Sequence, residues 1–303
     1  MPGHSSPTTS RVRRWLLATV AVPAVALAGV LAWPGGGERT SPAAAVEVPI
    51  DATVADGPAT VPTVGSAAVL SAVGAAAAQA GGSIAVVVLD AAGAPLVTGD
   101  AADDAVPTAS LVKLLVVQQL LARDAAGSLS LDDDDLALME RAVEASDDDA
   151  MSSLWVEFDG AALVADAAAE FGLTGTAPPE TAGQWGGSTT TARDQATFLA
   201  ALDEHLSPAD LATLTGWMQA TTGTAADGFD QAFGVLATGS GAGPVAAKQG
   251  WMCCVDSRRQ LHSAGVLADG RVVVLLGDFP SGTGWAEARA ALDAAARAAV
   301  TAG

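Results

Sequence analysis

The chain has 303 residues, half of them apolar and only 16% charged, and carries a formal charge of −20 at neutral pH. So acidic a surface repels nucleic acid and anionic lipid headgroups, which excludes both as expected partners. Lysine is nearly missing: Lys113 and Lys248 stand against twelve arginines, and of the two residue types only lysine can release its proton inside a protein.

At the N-terminus, Arg11, Arg13 and Arg14 precede an uncharged apolar run from Trp15 to Trp33. As a helix this run is about 28 Å long, close to the hydrocarbon thickness of a bilayer. Basic flanks stay in the cytoplasm, so the rest of the chain is expected outside, touching the membrane only through this segment. Residues 1–33 therefore read as an export signal or an uncleaved membrane anchor; Ala43-Ala44-Ala45 offers a cut site for the first alternative. Residues 34–62 are rich in Gly, Pro, Ala and Thr without periodicity and read as a disordered tether. Residues 1–45 hold four arginines and one glutamate, so the remainder carries −23. Residues 63–303 suit one domain with an insertion.

Ser66 to Ala80 is Ala-rich and helical, stopped by Gly81-Gly82. Ser83 to Leu89 is a short apolar run with β-branched enrichment, hence a strand, and Ala91-Ala92-Gly93 turns it back onto Pro95–Thr98. From 110 to 240 the pattern is helical, with segments near 110–123, 133–144, 148–156, 160–170, 191–204 and 207–219. Strands return at Val245–Cys254, Gln260–Leu267 and Arg271–Leu276, the last two joined by the hairpin signal Asp269-Gly270. Ala286 to Val300 is a closing helix. The expected fold is mixed α/β of the α+β kind: an antiparallel five-stranded sheet, flanked by the terminal helices, with an all-α lobe inserted at about 110–240. A cleft between the two lobes is the expected site.

Ser110-Leu111-Val112-Lys113 opens a helix that is apolar almost all round, which marks a buried helix, and Lys113 is the only charge between Ser110 and Arg123. One turn apart, the amine and the hydroxyl share a face, and a desolvated amine can take the hydroxyl proton. A serine N-cap followed by a lysine reaching for solvent is the plain structural alternative. Ser146-Asp147-Asp148 opens a later helix and, by itself, reads as an ordinary capped N-terminus. Lys248-Gln249-Gly250 enters a strand; a cation followed by Gly suits a cleft edge where a substrate pairs with exposed backbone, against the alternative of a solvated strand-end lysine.

Together, in order and context, these three elements resemble the SxxK, SDN and KTG set of the class A β-lactamases and penicillin-binding DD-peptidases. Thr189-Thr190-Thr191, Trp217-Met218 and Thr222-Gly223 add to the resemblance, which runs from about residue 63 to the C-terminus. It implies that Ser110 is acylated, with Lys113 as its base or the partner of that base. Ser146 would relay a proton to the leaving nitrogen, and Lys248 would support the relay and attract a substrate carboxylate. It also implies an oxyanion hole from the N–H of Ser110 and one from the Lys248 strand at Met252, with Asp148, Gly250 and Met252 on the substrate side. No metal or organic cofactor is implied.

Two positions depart from that family. Its Asn is Asp148 here, and a carboxylate cannot donate to a substrate carbonyl; beside Lys113 it would also hold the ammonium charged. The loop glutamate with which class A enzymes hydrolyse the acyl-enzyme has no counterpart: the stretch from Thr174 to Ser188 holds only Glu180, which reads as a loop charge. Efficient β-lactamase action is thus disfavoured, and Gln249 replaces the family's Thr. The expected function is an exported serine hydrolase acting on a peptide or β-lactam amide, with cell-wall stem peptide as the expected natural substrate. A non-catalytic wall- or partner-binding module is the rival, and a β-lactamase with an unusual deacylation route the third reading.

Four further features have plain readings. Cys253-Cys254 are expected to be two buried apolar residues, since neighbours on a strand face opposite ways. Arg258 or Arg259 could bind a substrate carboxylate but read first as a surface charge pair in a hairpin, and His262 reads as a structural strand histidine. Asp132 to Asp135 read as helix capping, and Trp155, Trp185 and Trp251, which could line a cleft, read first as core.

Overall fold

The computed structural model describes residues 65–238 and 243–303. The expected anchor (1–33) and the expected tether (34–62) lie outside them, and among the described residues no helix is long and apolar enough to cross a membrane. The chain runs through α1 (Ser66–Gln79), β1 (Ser83–Leu89), β2 (Pro95–Thr98) and the two-residue β3 (Val106–Pro107). Then come α2 (Val112–Ala125), α3 (Asp133–Glu144), α4 (Asp148–Glu157) and α5 (Gly160–Phe171). The two-residue β4 (Thr189–Thr190) leads to α6 (Ala192–Ala200), α7 (Leu202–His205), α8 (Pro208–Gln219) and α9 (Gly234–Thr238). The chain closes with β5 (Ala246–Val255), β6 (Arg258–Val266), β7 (Val272–Pro280) and α10 (Trp285–Ala299).

Strands from both ends join in one antiparallel sheet of order β2-β1-β7-β6-β5, as expected. Both faces of its middle are buried. Ala85, Val87, Val272, Val274 and Leu276 face the helical lobe, while Val86, Val88, Val273 and Leu275 face α1 and α10. A strand covered on both sides has no polar face to alternate with, and this is why β1 and β7 read as continuous apolar runs. The β6–β7 hairpin turns at Asp269-Gly270, where Gly270 adopts φ +85° and donates to Leu267 O.

The helical lobe is organised around α2. Every residue from Val112 to Leu121 is buried, Lys113, Gln118 and Gln119 included. Asp132 caps α3 by accepting from the N–H groups of Asp134 and Asp135, while Asp135 returns a bond to the Asp132 N–H, so this acidic run is the expected capping box.

Several expectations are corrected. The helix read at 191–204 breaks into α6 and α7, with Ala201 leaving helical geometry between them. The short α9 leaves the helical lobe, since Phe233 and Val235 belong to the core beneath α1 and α10. The two cysteines are exposed and bonded to each other. The β5–β6 register shifts between Cys253 and Val255, so face alternation ends there, beyond the covered part of the sheet. Trp185 and Trp251 line a cleft; only Trp155 is core.

Candidate active site

Ser110 lies in a short 3-10 turn, Ala109–Leu111, ahead of α2. It is not a capping residue: Leu111 takes the N-cap position and makes no side-chain cap bond. Ala109 is held at φ +46°, a left-handed conformation costly for any residue with a Cβ. Two packing contacts hold the turn in place. His262 of β6 donates from Nε2 to Pro107 O at 2.8 Å, and Thr108 N–H donates to Ser188 O at 2.7 Å. Gly250 of β5 passes so close that a Cβ there would lie 3.1 Å from Thr108 O and 3.2 Å from Ser110 N. A glycine is required at this point because the edge strand must approach the serine backbone.

Ser146 is the second hydroxyl. The capping work at α4 falls to Asp147, whose Oδ1 accepts from the N–H groups of Asp149 and Ala150 and whose other oxygen pairs with Arg141. Ser146, at φ +52°, is thereby free to meet both lysines. Lys113 Nζ lies 3.2 Å from Ser146 Oγ and donates to Ser146 O at 2.6 Å and to Asp148 Oδ1 at 2.7 Å. Lys248 Nζ lies 2.8 Å from the same Oγ and donates to Gln249 O at 3.1 Å. Both lysines are fully buried. Burial pushes the Lys113 pKa below the ordinary lysine range, against the pull of Asp148. It pushes Lys248 much further down, helped by the Lys113 charge.

A cleft of about 300 Å³ opens over Ser110, lined also by Asp148, Trp185, Trp251 and Met252. Of the seven residues expected at the site, Ser110, Asp148 and Met252 thus line the cleft. Ser146, Lys113, Lys248 and Gly250 do not line it but lie beside residues that do: Lys113 bonds Asp148, both lysines reach Ser146, and Gly250 abuts the Ser110 backbone. The Ser110 hydroxyl makes no side-chain hydrogen bond among the described residues, and none of the three Lys113 contacts reaches it. Gln249 faces away from the cleft, fully buried, and neither of its amide atoms finds a partner among the described residues. Glu180 is exposed and lines no part of the cleft.

Trp185 and Asp227 are absent from the expected site. The Trp185 ring centroid lies 5.0 Å from Lys113 Nζ and its N–H donates to Ser152 Oγ at 3.2 Å. Its signal in the sequence is a lone tryptophan in a loop with Gly183, Gly186 and Gly187. Asp227 accepts from Trp251 Nε1 at 3.1 Å. Nothing in the sequence marks it.

No family model matches the chain. LppW of Mycobacterium tuberculosis (strain ATCC 25618 / H37Rv) and of Mycobacterium bovis (strain ATCC BAA-935 / AF2122/97), which their name proposes to be a lipoprotein, are each 33% identical to it over 224 residues. Those residues are 73% of this chain and 70% of each relative. Among solved structures, a β-lactamase from Chitinophaga pinensis DSM 2588 superposes with a TM-score of 0.63 at 17% identity, over 76% of this chain and 97% of its own. A β-lactamase from Burkholderia phymatum gives 0.60 at 20% identity, over 77% and 97%. At such identities the likeness speaks for the fold.

Proposed function

The chain belongs to the family of the mycobacterial LppW proteins, with a β-lactamase/transpeptidase-like fold, and on that premise we propose that it is an extracytoplasmic serine acyl-enzyme hydrolase acylated on Ser110. One observation carries this reading: the only two lysines of the sequence converge, from opposite lobes, on one hydroxyl beside the Ser110 cleft. Burying two amines is costly, and chance does not place both within reach of the same oxygen.

The Lys113–Ser146–Lys248 contacts support part of a proton path, completed by a proposed step between Lys113 and Ser110. We assign Lys113 as the ammonium paired with Asp148 and Lys248, which burial pushes below the ordinary lysine range, as the amine that accepts a proton. A proton passes from Lys113 to Ser146 Oγ while the Ser146 proton moves to Lys248, leaving Lys113 neutral. The neutral Lys113 then takes the Ser110 proton as Ser110 Oγ bonds to the substrate carbonyl carbon. As the tetrahedral intermediate collapses, the C–N bond breaks, Ser146 protonates the leaving nitrogen, and Lys248 returns its extra proton to Ser146. The backbone N–H of Ser110, with one from β5 at Met252, stabilises the oxyanion. Among the described residues Asp148 is the sole carboxylate lining the cleft, tied to Lys113, while Trp185 covers the lysine. A long-lived acyl-enzyme is the proposed consequence.

The name of the LppW relatives supports a membrane-tethered location. The apolar run at 15–33 is the anchor we assign. Cell-wall stem peptide is the proposed substrate. The rival reading, a non-catalytic binding module, draws on one feature: all three Lys113 contacts go to Ser146 and Asp148, none to Ser110.

Incubation with a fluorescent penicillin followed by intact mass separates the two. We expect one covalent adduct that survives for hours and is lost in Ser110→Ala. No adduct with several β-lactams favours the binding module, and rapid turnover of nitrocefin favours a true β-lactamase.

A further inference from the structure

The cleft offers a substrate an unusual charge. Its one charged lining residue is Asp148, a carboxylate with 63% of its side chain exposed. Lys113 occupies only Oδ1; no hydrogen bond to Oδ2 is found among the described residues. Trp185 forms one wall. Trp251 forms another, stacked on Phe229 with centroids 4.7 Å apart and fixed by its N–H bond to the exposed Asp227. Indole faces and carboxylates together attract cations.

The site's own cations are turned inward. Lys113 and Lys248 expose nothing and lie behind the indoles, 5.0 Å from the Trp185 centroid and 5.9 Å from the Trp251 centroid, and the bonds of Lys248 go to Ser146 and Gln249. The arginines of β6 are committed elsewhere: Arg258 is held by both carboxylate oxygens of Asp278, and Arg259 lies over Trp285 at 4.2 Å. Neither lines the cleft. A substrate carboxylate arriving here would meet the exposed Oδ2 side of the Asp148–Lys113 pair and the exposed Asp227 before either buried lysine.

We propose that this cleft selects substrates bearing an ammonium or guanidinium group near the scissile amide, in place of the free carboxylate that the family resemblance implies. The cation would sit between the Trp185 and Trp251 rings against Asp148 Oδ2, with Asp227 steering its approach. This specificity rests on the acyl-enzyme reading of Ser110, yet binding tests it separately.

Two measurements on the full chain decide it. In the first, matched p-nitrophenyl esters ending in trimethylammonium, tert-butyl or carboxylate acylate the protein, followed by p-nitrophenolate release and intact mass. The ammonium ester is expected to react about tenfold or more faster than the carboxylate ester, and Asp227→Asn to shrink that ratio several-fold. In the second, the corresponding N-methyl amides bind Ser110→Ala, read by tryptophan fluorescence. The ammonium amide is expected to bind about tenfold tighter than the carboxylate amide. Equal or tighter binding of the carboxylate amide, or no binding of either, overturns the specificity whatever the esters do. Cation-selective binding without acylation of Ser110 leaves the specificity standing and sinks the acyl-enzyme reading alone.

Discussion

His262 shows how much one buried residue can set. Its Nε2–H is held by Pro107 O, so a second proton would have to go on Nδ1, which has no partner among the described residues. Burial accordingly lowers its pKa from the ordinary 6.5 to about 4. Between these values the unfolded chain binds a proton that the folded chain does not, so stability falls as pH drops from 6.5 to 4. The loss attributable to His262 is about 3 kcal/mol. Urea unfolding at pH 7.5, 6.5, 5 and 4 should show His262→Gln, which keeps a donor for Pro107 O, losing that much less than the unaltered protein; parallel pH profiles would refute the assignment. His262 reads correctly from the sequence as a structural histidine, because a strand centre is a buried place. Its partner does not, since Pro107 is 155 residues away.

At the scale of elements, the approach of β5 to the Ser110 turn is what makes a site. Gly250→Ala would force a methyl against two backbone atoms, Thr108 O and Ser110 N, which cannot rotate away as a side chain would. The turn would move off the strand and, on the proposed acyl-enzyme reading, its N–H would lose its aim at the oxyanion. Acylation of Ser110 by penicillin should fall about a hundredfold in a protein that keeps its circular dichroism spectrum, and an unchanged rate would mean that the strand does not position the turn. Most elements were readable because periodicity is local: β1 and β2 match their expected bounds, and α3, α4 and α5 fall within a residue of theirs. The β3–β4 pair was not, since two residues per strand carry no period and their partners lie some 80 residues apart. The cysteines misled because alternation was carried to a strand end where the register slips.

For the whole molecule, charge is the property that reaches furthest. Residues 46–303 carry −23, and such a field draws cations toward the cleft and holds anions off. Raising NaCl from 0.05 to 0.5 M shortens the screening length several-fold, so the acylation rate with the trimethylammonium ester should drop about threefold or more while the tert-butyl ester stays level. Equal salt dependence of the two would remove the long-range field from the account. The sequence by itself determined the order of the elements, the buried character of α2, the acidic surface and the three short motifs, because each is set by neighbours within a few positions or by composition. The tertiary structure alone decided that Lys113, 33 residues from Ser146, and Lys248, 102 residues from it, meet on one oxygen. It alone turned Arg258 and Arg259 away and gave the cleft a carboxylate and two indoles. Such contacts depend on how two lobes pack, and no local pattern along the chain encodes that distance.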